Sequence, residues 1–125
     1  MLFTAPSGTG KSTQAQLWCD HRGAELINGD RIAVGNGMIY GIPFCGSSTV
    51  AKNVTLPLAA VVYLSQSLEN SITRLHGTKA FRKLWEGCSV NLWNQEDIGK
   101  TTQAVVDTIS TIPIFHLACT PDQQA

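Results

Sequence analysis

Eight residues, Ala5-Pro6-Ser7-Gly8-Thr9-Gly10-Lys11-Ser12, constrain this chain more than any other stretch. Gly8 and Gly10 allow backbone angles that a side chain resists, so successive N–H groups can turn inward and line a concavity for an anion. Lys11 adds a point charge and Ser12 a hydroxyl suited to a hard divalent cation. A helix starting near Lys11 aims the positive end of its dipole at the same place. A polyphosphate with its metal uses all four features at once.

The spelling, a small residue, four residues, then Gly-Lys-Ser/Thr, is the P-loop pattern. Ordinary residue frequencies produce it by chance in roughly one chain in a hundred of this length, and its surroundings agree with it. Met1-Leu2-Phe3-Thr4 can form a strand ahead of it, and Lys11 to His21 a helix behind it. The competing reading is a Gly/Ser turn before a helix. Ser7, Gly8, Thr9, Gly10, Lys11, Ser12 and Thr13 are the candidate nucleotide contacts, with Ser12 also a candidate Mg²⁺ ligand.

A length of 125 residues with 43% apolar content supports one domain with a real core, and not two. Nine basic and nine acidic residues cancel, so no broad field points to nucleic acid or an anionic membrane. Cys19, Cys45, Cys88 and Cys119 are widely separated, with no C-x-x-C pair, and no secretory signal precedes them. Reduced thiols in the cytoplasm are the expectation. No apolar run approaches the roughly 20 residues that span a bilayer. Only four residues precede the loop, and Ile114 to Ala118 reads as a core strand close to Ala125. The chain is therefore expected to be a fragment of a longer domain, cut at both ends.

After the loop, the helix places Ala15, Trp18 and Cys19 on one face and ends at Gly23. Ala24 to Asn28 reads as a short strand, parallel to the first in a right-handed βαβ unit. That placement would set Asp30 beside the phosphates, to hold Mg²⁺ through water or to orient an attacking hydroxyl; the alternative is a turn Asp after Gly29. Arg31 to Gly35 and Met38 to Ile42 are predicted hairpin strands joined by Asn36-Gly37. The loop Gly41 to Thr49 either lies across a nucleotide or receives the acceptor, with Lys52 near the transferred phosphate, or is a surface connection.

Leu58 to Leu64 predicts a central strand covered on both faces. Asn70 to Leu75 predicts another, with Ile72 buried and Arg74 exposed. Thr78 to Trp85 predicts a helix capped by Thr78, with Ala80, Phe81, Leu84, Trp85 and Cys88 facing the core. Asn94 and Asp97 have N-cap spacing. Behind them Ile98, Thr102, Val105, Ile109 and Ile112 form a stripe that ends at Pro113. His21, His76 and His116 share no neighbourhood and receive no catalytic role; His116 is expected to be a hydrogen-bonded core residue.

With these residues in place, the chain resembles the C-terminal catalytic domain of HPr serine kinase/phosphorylase and its smaller relatives. That group also resembles the nucleotide domain of phosphoenolpyruvate carboxykinase. The likeness rests on the P-loop, on Gly23-Ala24-Glu25-Leu26-Ile27-Asn28-Gly29-Asp30 one helix later, on Tyr40 to Gly46, and on the run Asn53 to Leu64. It implies an α/β P-loop domain with a mixed sheet. It also implies an ATP- and Mg²⁺-dependent kinase acting on a hydroxyl acceptor, a Ser of a protein or peptide among the candidates, and homo-oligomers by analogy. Lys11 and Ser12 carry over as phosphate and metal contacts, and Asp30 as the metal or catalytic carboxylate. Gly29 stands where HPr kinase has a second acidic residue, and the histidine ahead of its P-loop has no counterpart. Two alternatives stay open: a nucleotide-binding module without turnover, and a small-molecule P-loop kinase or nucleotide hydrolase.

Overall fold

A computed structural model describes residues 1–6, 8–27, 32–35, 37–41, 52–88 and 93–120. β1 (Leu2–Thr4) leads through the glycine loop into α1 (Lys11–Arg22). β2 (Ala33–Gly35), β3 (Met38–Tyr40) and β4 (Thr55–Pro57) follow, then β5 (Val61–Gln66), β6 (Ser71–Leu75), α2 (Gly77–Glu86), α3 (Gln95–Thr111) and β7 (Ile114–Cys119). The main sheet has the order β1-β5-β7-β6, parallel except for β6, and β2-β3-β4 form a separate antiparallel sheet. The chain is thus an α/β fold with a mixed sheet.

β5 is central because its residues can be buried on both sides. Val61, Val62, Tyr63 and Leu64 are all buried, and removing side chains such as Val61 or Leu64 from water stabilises the fold by roughly 1.5–3 kcal/mol each. The strand begins three residues later than the predicted Leu58 and runs on to Gln66. Leu58 is buried all the same, with its N–H donated to the Gly37 carbonyl at 2.8 Å, so it joins the small sheet to the core.

Alternation assigns the faces of the main sheet. Phe3, Gln66 and Cys119 point to the side of α1, where Phe3 meets Trp18 at a ring separation of 6.4 Å. Val61 and Ile114 point to the other side and pack with Ala80 and Leu84 of α2 and with Ile109 and Ile112. Ile39 of the small sheet closes the same cluster.

The strand predicted over Ala24–Asn28 does not form within the described residues 24–27. Gly23, at φ 66°, turns the chain out of α1, and the Ile27 carbonyl accepts from the Lys52 N–H at 2.8 Å. That segment lies beside residue 52, not beside β1. The strand parallel to β1 is β5, in the register Leu2↔Val61, Phe3↔Val62, Thr4↔Tyr63. Four consecutive buried residues claim the central position over the two apolar residues Leu26 and Ile27.

The two hairpin strands pair antiparallel, Gly35 with Met38, over the shorter spans Ala33–Gly35 and Met38–Tyr40, and Gly37 has φ 72°; Arg31, Asn36 and Ile42 lie outside the described residues. α2 starts one residue early, with His76 at the N-cap and no side-chain capping bond, so Thr78 sits inside the first turn and caps nothing. Phe81 and Trp85 stack at 5.9 Å along the helix. Ile72, predicted buried, is 62% exposed, because β6 is the outermost strand and alternation fixes a face without providing a cover for it. α3 follows the sequence closely: Asn94 Oδ1 accepts from the Glu96 and Asp97 N–H groups at 3.0 and 3.3 Å, Val105 is buried, and Pro113 follows the last turn.

Candidate functional site

Because β1, β5 and β7 are parallel, their C-terminal ends share one edge of the sheet, and the glycine loop leaves β1 at that edge. Gly8 has φ 80° and Gly10 φ 110°, and a β-carbon on either would meet nothing within 4 Å. Glycine is needed here for the backbone angle, not for space. The Thr9 N–H donates to the Pro6 carbonyl at 3.3 Å and closes the turn.

Gly10 is the N-cap of α1, with no side-chain capping bond and no acidic residue in the first turn. Helical bonding starts with the Gln14 N–H to the Gly10 carbonyl at 2.9 Å. The N–H groups of Lys11, Ser12 and Thr13 therefore have no intrahelical acceptor. The Ser12 and Thr13 side chains are exposed and Lys11 is half-buried. The Lys11 ammonium folds back over the loop and donates to the Ala5 carbonyl at 2.8 Å and the Pro6 carbonyl at 3.3 Å. From the end of β5, the Gln66 amide donates to the Thr9 carbonyl at 3.3 Å and ties the loop to the central strand.

The structure thus gathers Gly8, Thr9, Gly10, Lys11, Ser12 and Thr13 into one feature. Ser7 and Asp30 lie outside the described residues, as does the loop 42–51. Lys52 is engaged elsewhere: its ammonium pairs with the Glu25 carboxylate. That hydrogen bond, and then the charge of Lys52, hold the Glu25 carboxyl below its usual range. Among the described residues no group of three or more His, Cys, Asp and Glu side chains is placed to hold a metal ion. Cys19, Cys88 and Cys119 form no disulfide among the described residues, and burial pushes the Cys88 thiol up. No described helix is long and apolar enough to cross a membrane.

Three polar residues at this edge, Gln14, Ser65 and Gln66, were not singled out from the sequence. Gln14 is 3% exposed on α1 and faces the Cys119 thiol at 3.7 Å. Ser65 Oγ lies 2.7 Å from His116 Nε2, and the His116 ring stands edge-on to Tyr63 at 5.5 Å. His116 is thereby hydrogen-bonded as expected, but it is half-buried and not in the core. The Lys83 ammonium sits 4.5 Å from the centre of the other aromatic partner, Tyr63. The sequence did carry a signal for Ser65 and Gln66, since two polar residues directly after the apolar run Leu58 to Leu64 mark where the strand reaches the edge of the sheet.

Chemically, the loop offers N–H groups without an intrahelical acceptor, a helix N-terminus and one ammonium to a ligand with negative oxygens. Compared with protein-family models, with curated proteins and with solved structures, the chain matches none.

Proposed function

We propose that the chain binds a nucleoside triphosphate with Mg²⁺ on the loop Ala5–Thr13 and transfers the γ-phosphoryl group to a hydroxyl, in the manner of the HPr-kinase-like enzymes it resembles. The observation that carries this reading is the pair of left-handed glycines, Gly8 and Gly10, opening an uncapped helix whose first residue is Lys11. Such a cradle favours a phosphate over a carboxylate because several donors converge on a group with three oxygens. In the reaction, Ser7 to Thr13 hold the phosphates, Ser12 and Asp30 hold Mg²⁺, and Lys11 leaves the carbonyls of Ala5 and Pro6 for the charge that develops in transfer. Asp30 orients the acceptor. The acceptor is a hydroxyl on a protein, a peptide or a small molecule, and a reducing cytoplasm that keeps Cys19, Cys88 and Cys119 as thiols is the fitting compartment.

Calorimetric titration with ATP, with and without Mg²⁺, tests the binding half. Transfer to candidate acceptors by the wild type and by Lys11→Ala tests the other half, and activity that survives in the variant sinks the kinase assignment. A second reading, nucleotide binding without turnover, is favoured by one observation: Gly29 leaves Asp30 without an acidic neighbour. Tight ATP binding with no product after prolonged incubation would select it.

A further inference from the structure

Ser65 and His116 form a pair for which the phosphate loop has no use, although the fold puts them next to it. Parallel pairing matches Tyr63 with His116 and Ser65 with Ala118, so Tyr63, Ser65 and His116 rise on one face at the C-terminal edge. Ser65 Oγ and His116 Nε2 are 2.7 Å apart, and both residues are half-buried. β1 ends at Thr4, opposite Tyr63. The chain therefore departs for the loop just below the level of Ser65, on a strand about 5 Å away. The following residue, Gln66, points to the opposite face, the side of α1, and ties the end of the same strand to the loop through the Thr9 carbonyl. Below the pair the face is closed: Gly87 packs against the Thr4 side chain and Lys83 covers Tyr63.

We propose that Ser65 and His116 form a proton relay for the oxygen that attacks the terminal phosphate, an inference that rests on the nucleotide-binding reading above. The attacking water or alcohol gives its proton to Ser65 Oγ as Ser65 passes its own to Nε2 of a neutral His116 protonated on Nδ1. The attacking oxygen forms the bond to the γ-phosphorus while the bond from that phosphorus to the bridging oxygen breaks. The electron pair departs with the nucleoside diphosphate, and the imidazolium returns its proton to solvent after turnover. A pair serving only the core would be as well satisfied at the level of Val61 and Ile114, deep in the apolar cluster. This one sits half-exposed at the edge where the loop begins. The titratable groups facing it among the described residues are Tyr63 of β5 and, across that ring, Lys83 of α2; β6 sets Thr73 opposite His116.

The test uses the full chain, ATP with Mg²⁺, and water as the acceptor. His116→Gln keeps a hydrogen-bond partner for Ser65 but takes no proton, and Ser65→Ala interrupts the relay without touching the ring. Both are expected to lower kcat for hydrolysis about 100-fold or more, while the calorimetric dissociation constant for ATP stays within about threefold of wild type. The relay is overturned if either variant keeps wild-type kcat, or if kcat and affinity fall together. It is also overturned if the wild type binds ATP without hydrolysing it, an outcome that leaves phosphate binding standing. A wild type with no affinity for ATP removes the loop reading itself.

Discussion

The Lys11 ammonium donates to the Ala5 carbonyl oxygen at 2.8 Å, so the first residue of α1 is bonded to the residue that follows β1. The charge is already inside the loop, held by neutral acceptors. A phosphate oxygen competes well for it, because a full negative charge attracts the ammonium more strongly than a neutral carbonyl does.

Lys11→Ala should therefore separate folding from binding. The carbonyls of Ala5 and Pro6 sit at a half-exposed loop and regain water, so the unfolding free energy in urea should change by about 1 kcal/mol or less. Phosphate affinity should drop by at least about tenfold, read by calorimetry with ATP. A variant that unfolds would assign the lysine to the scaffold instead.

Two glycines should respond in opposite ways to alanine. A β-carbon on Gly41 would fall on the backbone carbonyl of Lys52, which cannot rotate aside, so Gly41→Ala should cost roughly 1–3 kcal/mol. Gly99 lies in α3 with open space around it, and Gly99→Ala should stabilise by about 0.5–1 kcal/mol. Urea midpoints for the two variants read both signs; a shift in the same direction contradicts the packing.

Asn94 supplies the cap of α3 through two backbone N–H groups. Asn94→Ala should cost about 1 kcal/mol, and Asn94→Gly only a few tenths. Thermal melts of the pair distinguish a lost cap from a general loss of helix.

Acidification should act at Glu25, exposed at the surface beside Lys52. Its carboxyl is held below the usual range, by the hydrogen bond first and by the charge second. The pair therefore stabilises the fold above the unfolded-state pKa of roughly 4.3 and loses that contribution as pH falls through the lower folded value. Glu25→Gln should be less stable than wild type at neutral pH and equal to it in strong acid. Salt should shrink the difference. Urea curves across pH, at low and high ionic strength, measure it.

The elements with local determinants were legible in the sequence. Gly8 and Gly10 specify their own backbone angles, Asn94 its own cap, Gly37 the turn angle of its hairpin, and the apolar run before Ser65 its own central strand. What depended on distant competition was not. Leu26 and Ile27 read as a strand until β5, with a longer apolar run, takes the place beside β1, and Ile72 reads as buried because alternation is silent on whether anything lies over the outermost strand. The site divided the same way. Its loop was visible from the glycines, whereas Ser65 and His116 belong to strands joined only by sheet pairing, 51 positions apart, and no local pattern connects them.

The pairing of Leu2 with Val61 sets an order in time during synthesis. The residues of the glycine loop leave the ribosome before β5, the described partner of β1, whose Val61 to Tyr63 emerge later, and β5 in turn pairs with β7, from Ile114 onward. Closing such distant contacts carries an entropy cost that only their completed packing repays. A nascent chain that stops short of β5 holds every letter of the glycine loop without the strand that positions it, so on the proposed function nucleotide binding should begin only after translation has passed the second half of the sheet.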